Sequence, residues 1–214
     1  MMKLADLKGA YSAVYSLGDL CVAAIQLEKN GLRPLAGPLD WMSSPDLSDV
    51  NRLLANRFAG FMDYSHLAVE GKASERLYLV KETAYNIYSN HDFFTHNNFP
   101  PHLAAYPEVK AKYDRRVERF LQKAASGKRI LFIRTGGTRE QAAELEAVLS
   151  RFVVHDFRVL LVNHTAVGGL IEERIPLRRI CAVQIPDAEI WKGNDRIWSE
   201  LLRDMTYALR GKRW

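Results

Sequence analysis

The feature that most constrains the fold is a set of short, almost wholly apolar runs separated by longer stretches of helical periodicity. In the second half of the chain the apolar runs are 129–134 (RILFIR), 157–163 (FRVLLVN) and 180–185 (ICAVQI). Helices are predicted between and beside them, over 107–125, 138–152 and 196–209. Strands that are apolar on both faces are typical of a parallel sheet with helices on both sides. The sequence therefore predicts a three-layer α/β fold with a mostly parallel sheet of about five strands.

The first half of the chain is less regular. Residues 11–17 (YSAVYSL) predict a buried strand, and residues 20–30 predict a helix that ends at Gly31. Residues 32–106 are rich in proline, histidine and aromatic side chains, and we expect them to form an irregular insertion. Within it, Ser44-Pro45 is a helix start and residues 77–80 a short strand. We expect residues 1–214 to form a single domain.

Composition and charge exclude several classes of protein. The net charge is +5, but the basic residues are scattered and do not alternate with aromatic ones, so we expect no nucleic-acid partner. No run approaches the ~18 apolar residues of a membrane span, and the N-terminus lacks the apolar core of a signal peptide. Two distant cysteines make no disulfide framework. These features predict a cytoplasmic protein with a small-molecule or peptide substrate and no cofactor, and they leave its oligomeric state open.

Cys21 is the strongest chemical candidate in the sequence. It follows the first predicted strand, a Gly18 turn and Asp19, which is a favoured helix N-cap. We therefore expect Cys21 in the first helical turn, where free amide N–H groups and the helix dipole stabilise a thiolate. The carboxylate of Asp19 opposes this by raising the pKa of the thiol. The alternative is a buried, inert cysteine, because the surrounding segment LCVAAI is apolar.

Loops that leave parallel strands meet at the carboxyl edge of the sheet, where ligands bind in open α/β folds. Three predicted strands lead into informative loops there: 16–21, 134–139 (RTGGTR) and 163–165. The RTGGTR loop resembles an anion cradle in which Arg134 binds a carboxylate or phosphate, although a glycine turn capped by Thr138 explains it equally well. The predicted substrate-binding residues are Ser16, Gly18, Asp19, Trp41, Arg134 and Thr138.

A histidine is required to take the proton of a catalytic thiol. His91 lies in the aromatic loop, and His164 lies at a strand end, nearer to the predicted site. His91, His96 and His102 do not have the spacing of a zinc site, so no metal is predicted. Asp40 either orients the histidine or caps a loop beside Trp41. We expect Cys21 and Arg134 to share one cleft with either His164 or His91.

Five sequence blocks together resemble a bacterial family of unknown function described as "putative papain-like cysteine peptidases". The resemblance covers about residues 11–165, and its blocks are Ser16-Leu17-Gly18-x-x-Cys21, Gly37-Pro38-Leu39-Asp40-Trp41, His91-Asp92-Phe93, Tyr113-x-Arg115-Arg116 and Leu131-Phe132-Ile133-Arg134. The resemblance implies Cys21 as nucleophile and His91 as base, with Asp40 and Asp92 as candidate orienting groups. It also implies a papain-like α+β fold as the alternative architecture.

Two other functions compete with a thiol-dependent hydrolase or acyltransferase that acts on an amide or ester bond. Gly18-Asp19-Leu20 after a strand is similar to the start of SGNH esterases, although leucine stands where those enzymes carry their serine. Alternatively, Ser16, Arg134, Thr138 and His164 form a non-catalytic site for an anionic sugar, nucleotide or carboxylate.

Overall fold

The computed structural model describes residues 1–208. The end of the predicted helix 196–209 and the last residues of the predicted domain lie outside that range. Two short 3-10 helices, Leu4–Leu7 and Tyr64–His66, accompany five α-helices and eleven strands in the described part. The helices are α1 (Val22–Lys29), α2 (Leu47–Ala55), α3 (Tyr106–Ser126), α4 (Arg139–Phe152) and α5 (Asp195–Leu202). The strands are β1 (Gly9–Tyr11), β2 (Ala13–Ser16), β3 (Met42–Ser43), β4 (Leu67–Ser74), β5 (Leu77–Glu82), β6 (Ile87–Ser89), β7 (Arg129–Thr135), β8 (Asp156–Thr165), β9 (Ile171–Glu173), β10 (Ile180–Pro186) and β11 (Met205–Tyr207).

The central sheet has five strands in the order β2-β7-β8-β10-β9. The first four are parallel, and β9 pairs antiparallel with β10 at the edge. Each parallel connection is long enough to hold a helix or a larger segment, as parallel pairing requires. The predicted α/β class with a mostly parallel sheet is confirmed.

Helices cover both faces of this sheet, because alternate residues of each strand point to opposite sides. In β7, Ile130 and Phe132 belong to the core beneath α2, α3 and α4, while Leu131 and Ile133 belong to the core beneath α1 and α5. All four of these side chains are fully buried. The uninterrupted apolar run in the sequence thus reflects two hydrophobic cores on one strand.

The segment 32–106 contains more regular structure than the sequence predicted. It holds α2 and a second, antiparallel sheet with the order β3-β6-β5-β4. β3 and β6 are short, β4 is mostly exposed, and the β4–β5 pair is interrupted by two register shifts. Such strands lack the clear apolar alternation by which a half-buried strand is recognised, which explains why this sheet was missed. The sheet matters for function because the chain enters the His91 loop directly from β6.

The last predicted helix is shorter than expected. α5 ends at Leu202, and Asp204 adopts a left-handed backbone conformation with φ of 63°. That turn directs the chain into β11, which pairs in parallel with β1. No helix within residues 1–208 combines the length and the apolarity that crossing a membrane requires.

Phe132 lies at the centre of the larger core, within ring-stacking distance of Tyr15, Phe120 and Phe157. We expect Phe132→Ala to lower the free energy of unfolding by about 3–5 kcal/mol, because it removes a large buried ring and leaves a cavity. Urea unfolding followed by circular dichroism measures this. Val154→Ala is the control, because Val154 is 66% exposed, and it should change stability by less than about 0.5 kcal/mol.

Candidate functional site

Cys21 lies where the chain leaves the carboxyl end of β2. It is the N-cap residue of α1, one position earlier than the predicted first turn, and its carbonyl accepts the first helical hydrogen bond from the amide of Ile25. No side chain caps this helix. Asp19, the predicted cap, instead accepts hydrogen bonds from the amides of Leu20 and Ser44. The first-turn amides of α1 are therefore left without a side-chain acceptor beside the thiol.

A buried arginine holds the loop that carries Cys21. Arg134, at the end of β7, is fully buried and makes four hydrogen bonds. Its Nε donates to the carbonyl of Gly136 at 2.9 Å, and its Nη1 donates to the carbonyl of Leu17 at 3.0 Å and to Ser44 Oγ at 2.7 Å. Its Nη2 donates to the carbonyl of Ser44 at 2.6 Å. Burial lowers the pKa of Arg134 to about 10, and the guanidinium stays charged at neutral pH.

The predicted role of Arg134 as a substrate anchor is therefore wrong. Its donors are used by backbone carbonyls and a serine, and no part of the side chain reaches solvent. The planar guanidinium group has several donors, so it suits this cluster of acceptors better than the single ammonium group of lysine does. Arg134 acts structurally, by fixing the β2–α1 loop against the start of the second sheet.

The loop between β2 and α1 has an unusual backbone at two positions. Gly18 has φ of +76°, and a Cβ added there would lie 2.2 Å from Ser44 Oγ. This excludes any larger residue, so Gly18 shapes the loop and leaves space for the Arg134 contacts. Leu20, immediately before the cysteine, has φ of 60°, which is uncommon for a residue with a side chain and occurs preferentially at functional sites.

The thiol of Cys21 contacts the imidazole of His91, and this pair is here called the dyad. Sγ lies 3.3 Å from Nε2, within hydrogen-bond distance for sulfur. Cys21 is only 7% exposed, whereas His91 is exposed. Burial raises the pKa of the thiol to about 11, and the nearby charges of Asp40 and Asp19 act in the same direction. The raised pKa opposes the predicted helix-stabilised thiolate, because it favours the protonated form of Cys21 at neutral pH.

His91 is positioned by packing. It follows β6 by two residues, and its ring meets the edge of Trp41 in a T-shaped arrangement with 5.7 Å between the ring centres. The guanidinium of Arg33 also lies over the ring of Trp41, 5.1 Å from the ring centre. Trp41 is partly buried and borders the same depression as His91. Trp41 therefore lies beside His91, and its contact with a substrate stays a prediction.

Neither candidate orienting carboxylate contacts His91. Asp40 is buried and bonded to Arg33 Nε at 2.7 Å and to the amide of Gly37 at 2.8 Å, so it closes the turn before Trp41. Of the two predicted roles of Asp40, these contacts fit the one in which it caps the loop beside Trp41. The predicted third member of a triad is therefore absent among the described contacts of the imidazole.

Asp92 anchors the His91 loop to α3. It accepts hydrogen bonds from the hydroxyl of Ser89 at 2.5 Å and that of Tyr113 at 2.7 Å, and it also bonds the ammonium of Lys112. Burial acts to raise the pKa of Asp92, but these hydrogen bonds and the Lys112 charge outweigh it and hold the pKa below its usual range. Asp92 thus fixes the neighbouring His91 through the backbone.

The RTGGTR loop is not an open anion site. Thr138 caps α4 through a capping box with Gln141. This contact corresponds to the alternative in which the loop is a glycine turn capped by Thr138. The amide of Gly137 is already bonded to Asn163 Oδ1, and that of Gly136 to the carbonyl of Val162. Because these amides have internal acceptors, the substrate-binding assignment of Thr138 has no support in the contacts.

His164 and Ser16 also lie outside the dyad. His164 borders a separate cavity of about 150 Å³ together with Asp19, Leu20 and Thr135, and Cys21 does not line it. Burial lowers the pKa of His164. Ser16 is buried, and its hydroxyl accepts a hydrogen bond from the amide of Gly18. Its predicted role near the oxyanion is therefore replaced by a role in shaping the loop.

Lys112 and Ser44 hold the two loops of the site. The sequence did not single out Lys112, and it marked Ser44 only as the start of a helix whose N-cap is in fact Asp46. Lys112, Arg115 and Arg116 follow a helical i, i+3, i+4 spacing, and that signal was available. Throughout residues 1–208 no three histidine, cysteine, aspartate or glutamate side chains are grouped to hold a metal ion.

Comparisons with known proteins identify the family of this chain. A family model described as "Putative papain-like cysteine peptidase" matches residues 12–167, and the chain belongs to this family. An uncharacterized protein of Acanthamoeba polyphaga mimivirus is 31% identical over 134 residues, which is 56% of this chain and 59% of that protein. The chain thus spans less than two thirds of the length of this relative. Because the relative is viral, it gives no support to the bacterial origin expected from the resemblance. No solved structure matches.

Arg134→Lys tests the structural role of the buried Arg134 and its four hydrogen bonds, here called the Arg134 clamp. We expect it to lower the free energy of unfolding by about 1–3 kcal/mol for each buried acceptor left unpaired, because one ammonium cannot satisfy the same acceptors. Thermal and urea unfolding measure the change. Arg151→Lys, at an exposed position in the last turn of α4, is the matched control and should be neutral. A stability equal to wild type in Arg134→Lys would contradict the assigned role.

Asp92→Asn tests the anchor of the His91 loop through its pH dependence. Because the pKa of Asp92 is lowered in the folded state, its stabilising contribution is present above the unfolded value of about 3.9 and is lost as the pH falls below it. We expect Asp92→Asn to cost about 1.5–3 kcal/mol at pH 7. The difference from wild type should shrink below about pH 4 in urea unfolding. A constant difference across that range would show that the carboxylate charge is not involved.

Proposed function

We propose that this member of the family is a thiol-dependent hydrolase or acyltransferase that acts on an amide or ester bond. The observation that carries the proposal is the 3.3 Å contact between Cys21 Sγ and His91 Nε2, with one partner buried and the other exposed. A nucleophile within hydrogen-bond reach of a base is the arrangement that covalent catalysis requires. The family description supports the same chemistry.

In this mechanism Cys21 Sγ attacks the carbonyl carbon while its proton passes to His91 Nε2. The raised pKa of Cys21 makes this transfer necessary, because very little thiolate exists at neutral pH without it. The protonated imidazole then gives its proton to the departing nitrogen or oxygen, and an acyl-thioester remains on Cys21. Water or another acceptor, deprotonated by His91, releases the acyl group and restores the thiol.

The start of α1 supplies the group that stabilises the developing oxyanion. Cys21 is the N-cap, so the amide N–H groups that follow it point away from the helix and carry no side-chain acceptor. An oxyanion beside Sγ would accept from these amides and lie at the positive end of the helix dipole. The Arg134 clamp keeps the amides in place by holding the preceding loop.

The two rival functions lack support in the contacts. An SGNH-like esterase has no nucleophile here, because position 20 is a leucine and Asp19 bonds backbone amides. An anion-binding module would need the donors of Arg134 and the RTGGTR loop, which are bonded internally. We further propose a cytoplasmic setting and a small-molecule or peptide substrate; the two free thiols of Cys21 and Cys181 fit a reducing compartment.

Thiol labelling against pH tests the dyad. At pH 7 we expect iodoacetamide to label Cys21 roughly 100-fold more slowly in His91→Ala than in wild type, because the general base is lost. The gap should narrow as the pH rises toward the thiol pKa of about 11, where thiolate forms unaided. Mass spectrometry of the Cys21 peptide gives both rates.

Two further variants control this experiment. His164→Ala removes the other candidate base and should label like wild type, because His164 borders a different cavity. Cys21→Ser reports any labelling of Cys181, which is fully buried. Equal rates in wild type and His91→Ala at pH 7, with unchanged melting temperatures, would refute the proposed role of His91.

A further inference from the structure

The surface around His91 carries more positive charge than the fold needs. One depression of about 340 Å³ is lined by Trp41, His91, Asp92, Lys112 and Arg116. A second, of about 480 Å³, shares His91, Asp92 and Lys112 with it and also includes Arg115. Together these depressions form a groove, here called the basic groove, with His91 where they join.

The three cations of the basic groove come from one face of α3. Lys112, Arg115 and Arg116 are spaced i, i+3, i+4, so their side chains are neighbours on the helix surface. Like charges at this spacing destabilise a helix. Lys112 has a structural partner in Asp92. Within residues 1–208, neither Arg115 nor Arg116 forms a hydrogen bond or an ion pair with a carboxylate, so no carboxylate neutralises their charges.

The negative charge of the groove does not balance these cations. Asp92 is buried and already bonded to Lys112, Ser89 and Tyr113, and the other carboxylate, Glu108, lines only the outer depression. The inner depression, next to the dyad, therefore presents Arg116 as an excess cation. The guanidinium of Arg116 lies over the ring of Tyr113, 5.5 Å from its centre, which helps to fix its direction.

We propose that the substrate carries a carboxylate or phosphate close to its scissile bond, and that Arg116, assisted by Arg115, binds this anion. The inference rests on the proposed function and adds the substrate class. Guanidinium groups bind planar oxyanions through two parallel hydrogen bonds, which orients as well as attracts them. Trp41, which lines the same depression, offers an apolar ring to the rest of the substrate.

Two alkylating agents of similar size and different charge test the proposal. The rates of labelling of Cys21 by iodoacetate and iodoacetamide are measured at pH 7 and low salt, and their ratio is compared with that of N-acetylcysteine. We expect the ratio of the iodoacetate rate to the iodoacetamide rate to be higher for Cys21 in wild type than for N-acetylcysteine. Arg116→Gln should lower the ratio roughly two- to fivefold, Arg115→Gln should lower it less, and added salt should lower it in wild type. Arg151→Gln, outside the groove, should leave it unchanged.

A ratio equal to that of N-acetylcysteine and unaffected by Arg116→Gln would overturn the anionic-substrate inference while leaving a reactive thiol. Absence of labelling by both agents would instead count against the proposed function. In that case, binding of unreactive anions decides the inference: succinate and inorganic phosphate should each be titrated while the melting temperature is recorded. A rise in the melting temperature of wild type that Arg116→Gln abolishes supports the anion site. The anion that raises the melting temperature more identifies the group bound as a carboxylate or a phosphate. No rise with either anion overturns it.

Discussion

The buried guanidinium of Arg134 is the interaction on which the site depends. One side chain joins the end of β7, the loop after β2 and the segment before α2, and it does so through three different backbone carbonyls. Burying a charge without a carboxylate partner is costly unless its donors are satisfied, and here four hydrogen bonds satisfy them. The direction in which the chain enters α1, and so the place of Cys21, follows from this clamp.

Cys21 and His91 come from two different sheets, the five-stranded, mostly parallel sheet and the four-stranded antiparallel sheet. Cys21 comes from the carboxyl edge of the parallel sheet, where loops converge and ligands commonly bind. His91 comes from the loop after β6 in the antiparallel sheet, and Asp92 ties that loop to α3. Each half is held by its own buried polar cluster, so the short Sγ–Nε2 distance depends on how the two sheets pack.

The site combines a buried thiol with an exposed imidazole. The Cys21 thiol is shielded, and its raised pKa keeps it protonated and unreactive in the absence of a base. His91 reaches it from the solvent side, beside Trp41 and the cations of α3. In the proposed mechanism the thiol is activated through His91, so only molecules that reach the groove in the correct orientation would react.

Much of the fold could be predicted because each parallel strand is buried on both faces and carries its own apolar pattern. The bounds of β7, β8, β10, α3 and α4 lie within three residues of those predicted from periodicity. Of the antiparallel sheet within 32–106, only the strand at 77–80 was predicted, because the others are half-exposed or very short and gain their stability from pairing and packing.

The sequence by itself determined the parallel sheet, the strand–loop–helix position of Cys21 and, through the family resemblance, its pairing with His91. Only the tertiary structure decided the roles of the charged residues. Arg134 and Asp92 are ordinary ionisable residues in sequence, and burial with particular partners turned one into a clamp and the other into an anchor. The pKa of Cys21 followed the same rule: helix position alone suggests a thiolate, but desolvation by residues distant in the chain raises the pKa instead.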